Sequence, residues 1–167
     1  MTDIVTRARV FATAAHAAVG QVRKYTNEPY IVHPTEVAAI VASVGGTPAQ
    51  IAAAWLHDTV EDTGVTIETI EAEFGSEVAE LVGWLTDVSQ PHDGNRAHRK
   101  AVDREHSARS PAAAQTVKLA DLISNSRSIV QHDPAFAVTY LEEKRQLLEV
   151  MNKGDPGLMA QARKYID

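Results

Sequence analysis

The eleven residues from Ala52 to Asp62, Ala-Ala-Ala-Trp-Leu-His-Asp-Thr-Val-Glu-Asp, begin apolar and end ionisable. The apolar half should enter a core as a helix. On that helix His57, Asp58, Glu61 and Asp62 stand at i, i+1, i+4 and i+5, which is one side, because i+4 returns almost to i. Three carboxylates this close repel one another once water is withdrawn, unless a cation lies among them. The chemistry such a face offers is the holding of a divalent metal ion by imidazole and carboxylate. The plainer alternative is a helix that surfaces after Leu56 and leaves its last residues solvated.

Two more positions can complete the set. His33 stands just before Pro34, at the entry of a helix. Asp121 lies in a helix whose apolar face is Leu119, Leu122 and Ile123, opposite a polar stripe of Lys118, Asp121 and Asn125 at i, i+3 and i+7. An isolated Asp of this kind is ordinarily a surface residue. The chain has no cysteine, so thiolate ligands and disulfides are excluded. Two imidazoles and two carboxylates make a mixed N/O set that suits Mn, Fe or Zn, with positions left for water and substrate.

The elements that must carry these residues read as helices almost throughout. Ile4, Ala8, Phe11 and Ala15 give an apolar stripe, capped by Asp3. A loop from Gly20 to Val32 holds Arg23, Lys24, Tyr25, Pro29 and Tyr30. Pro34 suits the first turn of a second helix with Val37, Ile40, Val41 and Val44 inward, ended by Gly45-Gly46. Thr47-Pro48-Ala49-Gln50 is a capping box that starts a helix running to about Asp62, and Gly64 stops it. Short helices follow from Thr66 to Gly75 and from Ser76 through Leu85. A polar loop spans Pro91 to Asn95, and a charged helix runs from Arg96 to about Ala108. Ser110-Pro111 opens a helix through Val130, Asp133-Pro134 another ending near Gly154, and a short last helix follows Pro156. Only the Val88 region and the Gly20–Val32 loop leave room for a strand. The expectation is all-α, one domain over residues 1–167.

Composition narrows the function. Of the 167 residues, 44% are hydrophobic and 23% charged, which places the chain among globular proteins. Aromatics are few at 5% and alanine is abundant, a composition for closely packed helices. The formal net charge of −6 argues against gripping a nucleic-acid polymer, which needs a broad basic face. It leaves open a small polyphosphate met by a local basic cluster. Candidates are Arg23 and Lys24 ahead of His33, Lys118 one turn from Asp121, and Arg96, Arg99 and Lys100 on one side of the charged helix. The last three have an alternative as intrahelical partners of Asp103 and Glu105. No apolar run is long enough to span a bilayer, and Met1 to Phe11 lacks the apolar stretch of a leader, so a cytoplasmic protein with no membrane partner is expected.

The order His, His-Asp, Asp on successive helices resembles the HD superfamily of phosphohydrolases. It is more closely similar to the alarmone hydrolases, the hydrolase half of RelA/SpoT-type enzymes and its small free-standing relatives. The stretches that carry the likeness are Arg23-Lys24 leading to Pro29-Tyr30-Ile31-Val32-His33-Pro34, Ala54 to Thr63, Phe74-Gly75, and Val117-Lys118-Leu119-Ala120-Asp121 with Asn125. The resemblance implies an HD-type helical bundle. It implies one Mn²⁺, or another divalent transition metal, on His33, His57, Asp58 and Asp121, with Glu61 and Asp62 positioning and deprotonating water. It implies Asn125 beside the substrate, with Arg23, Lys24 and Lys118 towards its phosphates and Tyr30 or Tyr140 facing the nucleotide or simply packing. The implied activity is 3′-pyrophosphohydrolysis of (p)ppGpp or (p)ppApp, a small nucleotide substrate. The alternatives are a general HD nucleotidase and an inactive nucleotide-binding or regulatory domain. The loop Val22 to Glu28 departs from the family's Arg-x-Lys-Asp pattern by being shorter and lacking the Asp, which leaves the choice of base open.

Overall fold

The computed structural model describes residues 2–167; Met1, the first residue of the stretch read for a leader, lies outside them. Every regular element among the described residues is helical, as the periodicity predicts: ten α-helices and one short 3₁₀ turn. They gather into two compact units, the first ending at Thr86 and the second running Asp87–Asp167.

In the first unit α1 (Ile4–Ala18) begins where the Asp3 carboxylate accepts the Thr6 N–H at 2.9 Å. Its buried positions are Ala8, Ala12 and His16. Such small side chains let α3 (Pro48–Leu56) lie against it, and α3 also packs on α2 (Val32–Ser43) and α6 (Ser76–Leu85). The capping box is present: Gln50 N–H donates to Thr47 Oγ1, and Thr47 N–H to Gln50 Oε1. Ala52, Ala53, Ala54 and Leu56 are fully buried, so α3 is the axis of this unit. The inner face expected for α2 is partly right, with Val37 and Val41 buried and Ile40 and Val44 half-buried.

The helix expected to run to Asp62 stops at Leu56. A separate turn, α4 (Thr59–Thr63), follows and is closed by Gly64 at φ 76°. Side chains cause the break. His57 Nδ1 lies 2.6 Å from the Ala54 carbonyl, and Thr59 Oγ1 donates to the Leu56 carbonyl at 2.8 Å. Those carbonyls would serve backbone N–H groups in a continuous helix, so local side-chain bonding competes with it. Helix α5 (Ile67–Phe74) then packs on α6. In the loop before α2 the strand-like option reduces to one isolated bridge between Val22 and Pro29. It is closed by Arg23 N–H on Glu28 O, with Asn27 at φ 59°.

The second unit holds the 3₁₀ turn Pro91–Asp93, α7 (Arg96–Arg109), α8 (Ala112–His132), α9 (Pro134–Val150) and α10 (Pro156–Ile166). Helix α9 contacts α7, α8 and α10, and α10 also lies on α8. Val88 forms no strand; the Val88 and Ser89 N–H groups both donate to Asp103 Oδ1 at 2.9 Å. Helix α9 ends four residues before Gly154 because the chain turns in to meet α8. Lys153 N–H donates to Gln115 Oε1 and Asp155 N–H to Thr116 Oγ1. Gly154 comes so near α8 that a Cβ there would meet Leu119 Cδ1 at 2.6 Å. The last helix is longer than expected, at 11 residues. No helix among the described residues is long and apolar enough to cross a membrane.

Candidate metal centre and the groups around it

The break after Leu56 turns His57 and Asp58 out of the helical repeat and towards α2. His33, in the first turn of α2, and His57 are both buried, with ring centroids 5.2 Å apart. Asp58 Oδ2 lies 3.0 Å from His57 Nε2 and 3.7 Å from His33 Nε2. One ligand atom from each of these three residues falls within 4.8 Å of the others.

Tautomer chemistry tells what can sit there. The Ala54 carbonyl can only accept, so His57 Nδ1 carries a proton and donates it. In a neutral ring Nε2 is then a lone pair facing a carboxylate oxygen at 3.0 Å, and two such acceptors repel unless a proton or a metal cation lies between them. A backbone carbonyl holding the far nitrogen of a ligand histidine is the usual outer support of a metal site. Tyr30 adds another support, its hydroxyl donating to Asp58 Oδ2 at 2.6 Å. The donor set and its bracing thus fit a divalent ion.

Of the two acids expected to handle water, Glu61 and Asp62, both lie on α4 and both are exposed as residues. The Asp62 carboxyl is nonetheless partly enclosed. Burial pushes it above its ordinary range and the Asp58 carboxylate adds to that, while a hydrogen bond from Gln21 Nε2 at 3.1 Å works against both. In the preceding loop Arg23 lies over the Tyr30 ring, 5.9 Å from its centroid, and so joins the residues around Asp58. Lys24 is exposed, with its Nζ 5.4 Å from the Tyr25 ring centroid.

The second unit holds the remaining candidates. On α8, Asn125 Nδ2 donates to Asp121 Oδ1 at 3.1 Å, and Lys118 Nζ lies 3.8 Å from Asp121 Oδ2. The polar stripe read from the sequence is therefore a bonded cluster. Tyr140 on α9 is buried, its ring 4.9 Å from Lys144 Nζ. Lys144 escaped the sequence reading. It is a half-buried residue whose ammonium is withdrawn from water. That burial, with Lys118 and Lys100 close by, lowers it to about 8, and Asp121 and Asp87 only partly offset the effect. Three ammonium groups from α7, α8 and α9 thus crowd together, a latent demand for an anion. Arg96 serves otherwise: it is exposed and forms a two-pronged bond to Glu143, lying over the Phe136 ring. Asp103 is held by the Val88–Ser89 backbone, so in place of intrahelical pairing Arg96 has its partner on α9.

Residues 8–148 match the family model described as HD domain, a stretch reaching into both units. Over 129 residues the chain is 40% identical to a protein of Synechocystis sp. named probable guanosine-3′,5′-bis(diphosphate) 3′-pyrophosphohydrolase, covering 75% of this chain and 17% of that one. It is 41% identical over 108 residues to the guanosine-3′,5′-bis(diphosphate) 3′-pyrophosphohydrolase MESH1 of Xenopus tropicalis, covering 64% of this chain and 59% of that one. Among solved structures it superposes, with a TM-score of 0.87 and 25% identity, on one described as a metazoan ortholog of SpoT that hydrolyzes ppGpp and plays a role in starvation responses. That match covers 99% of this chain and 94% of the other. The chain spans less than two thirds of the length of these two curated relatives.

Proposed function

Because the chain belongs to the HD domain family, we propose that it is a metal-dependent 3′-pyrophosphohydrolase of nucleotide alarmones, (p)ppGpp or (p)ppApp. The observation that carries this reading is the facing pair of acceptors, His57 Nε2 and Asp58 Oδ2, beside His33. Asp121 supplies the fourth ligand, and the two units act together as one HD-type domain over residues 1–167. Mn²⁺ is the ion of choice, with other divalent transition metals also suiting the N/O donors. When bound, a divalent cation supplies the charge that lowers the pKa of water from about 15.7 towards 7.

The remaining steps belong to the chain. Glu61 accepts the proton of the attacking water, and Asp62 orients that water. Attack falls on the phosphorus joined to the ribose 3′ oxygen; that P–O bond breaks, the 3′ oxygen regains a proton, and pyrophosphate leaves with the water oxygen. Lys118, Lys144 and Lys100 balance the phosphate charge, helped by Arg23 and Lys24. Asn125, bonded to Asp121, steadies the substrate near the ion, and Tyr140 lines the nucleotide. The names of the relatives favour guanosine. The short, bridge-closed loop at Val22–Pro29 keeps adenosine in the test, since a base is chosen by the polar groups a wrong partner leaves unbonded.

The test is parallel hydrolysis of ppGpp and ppApp with Mn²⁺, reading pyrophosphate. Release from one or both is expected. Release of phosphate from a 5′-monophosphate, with neither alarmone cut, would instead identify a general nucleotidase. Metal uptake unchanged in His57→Ala would favour a non-catalytic domain.

A further inference from the structure

His16 is buried at the end of α1, yet it belongs to no ligand set. Its Nδ1 lies 2.8 Å from Gln21 Oε1, and its Nε2 has no hydrogen-bond partner. The other end of the same amide, Gln21 Nε2, donates to Asp62 Oδ2 at 3.1 Å. An amide oxygen only accepts, so the 2.8 Å contact requires a proton on Nδ1. That requirement settles the direction of the whole row. With Nδ1–H donating, the oxygen of Gln21 must face His16 and its NH₂ must face Asp62. A proton on Nε2 instead would favour the flipped amide, with an oxygen against the Asp62 carboxylate.

The surroundings hold this arrangement fixed. Gln21 N–H donates to the His16 carbonyl, and Tyr30 N–H donates to the Gln21 carbonyl. The Tyr30 ring packs on the His16 imidazole with centroids 4.8 Å apart, and its hydroxyl donates to Asp58. One short stretch, His16 to Tyr30, therefore fastens the carboxylate at the helix break and one on the turn beyond it.

We propose that His16 and Gln21 are positioning residues for hydrolysis: the His16 Nδ1–H orients the Gln21 amide, and that amide fixes the Asp62 carboxylate in the pose that handles water. The inference rests on the role given to Asp62 above. Asp62 sits on a five-residue turn and is exposed as a residue, so Gln21 supplies the restraint its own helix does not. A misplaced catalytic group costs turnover while leaving substrate affinity largely alone.

Three measurements test it. Gln21→Ala should lower kcat by about 10- to 100-fold with little change in KM or metal content, and should cost nothing further in an Asp62→Ala background. His16→Asn places an N–H where Nδ1 stood, whereas His16→Gln places one where Nε2 stood; the Asn variant should retain several-fold more turnover. Independently of activity, ¹⁵N spectra of histidine-labelled wild-type protein should show His16 carrying a proton at Nδ1. Wild-type turnover in Gln21→Ala beside an inactive Asp62→Ala overturns the inference and spares the role of Asp62. Wild-type turnover in Asp62→Ala removes both. A His16 protonated at Nε2 alone, or equal turnover in the Asn and Gln variants, overturns the inference directly.

Discussion

Lys144 shows how a single residue can weaken a fold while standing where the proposed substrate would need charge. Its ammonium is buried and stands near Lys118 and Lys100, so the folded chain binds that proton less tightly than the unfolded chain does. A lysine lowered to about 8 in the folded state makes stability rise with pH between about 8 and its unfolded value of 10.5, because across that window the unfolded chain holds more protons. Lys144→Met should therefore raise the melting temperature at pH 7, with the gain shrinking as pH climbs past 8, while KM for the alarmone increases. Thermal denaturation at several pH values and steady-state kinetics check both halves. Glu61→Gln should keep its metal and lose about 10²- to 10⁴-fold in turnover, since only a proton acceptor is removed; metal analysis with kinetics separates the two. The sequence made the ligand types readable, because His33 beside Pro34 and the His57–Asp58 pair are uncommon chemistry in an Ala-rich context. It gave no sign of Lys144, whose environment comes from α7 and α8, or of His16, a lone imidazole on an apolar stripe.

At the scale of the element, capping chemistry was the legible part. Thr47 with Gln50, Asp3 with Thr6 and Asp133 with Phe136 all close helix starts as their spacing announces. What periodicity missed was the break at His57, because apolar spacing says nothing of carbonyls captured by His57 and Thr59. The predicted face of four ionisable groups became a junction: two candidate ligands at the bend and two acids on the turn beyond it. The end of α9 was missed for a related reason, since the turn-in at Gly154 depends on Gln115 and Thr116, distant in sequence. Gly154→Ala should cost about 1–3 kcal/mol, because its methyl would overlap Leu119 and press on the α8 backbone near Gln115. Urea unfolding measures it, and an unchanged midpoint would mean the loop can step aside.

For the whole molecule, the chain gathers into two compact units while the family match runs from residue 8 to residue 148. An ion that prefers the folded chain stabilises it by about 2.7 kcal/mol at a hundredfold excess over Kd. Mn²⁺ should then raise the melting temperature of the native protein and leave that of His57→Ala unmoved; an equal rise in both would place the ion elsewhere. The lack of cysteine had already left only nitrogen and oxygen donors, and the net charge of −6 argued against a nucleic-acid polymer. The crowd of ammonium groups on α7, α8 and α9 carries one more consequence. On the proposed reading such a trio answers to charge density, so the severed inorganic fragment would keep its hold there after the nucleoside is lost, and accumulated pyrophosphate would compete with fresh substrate.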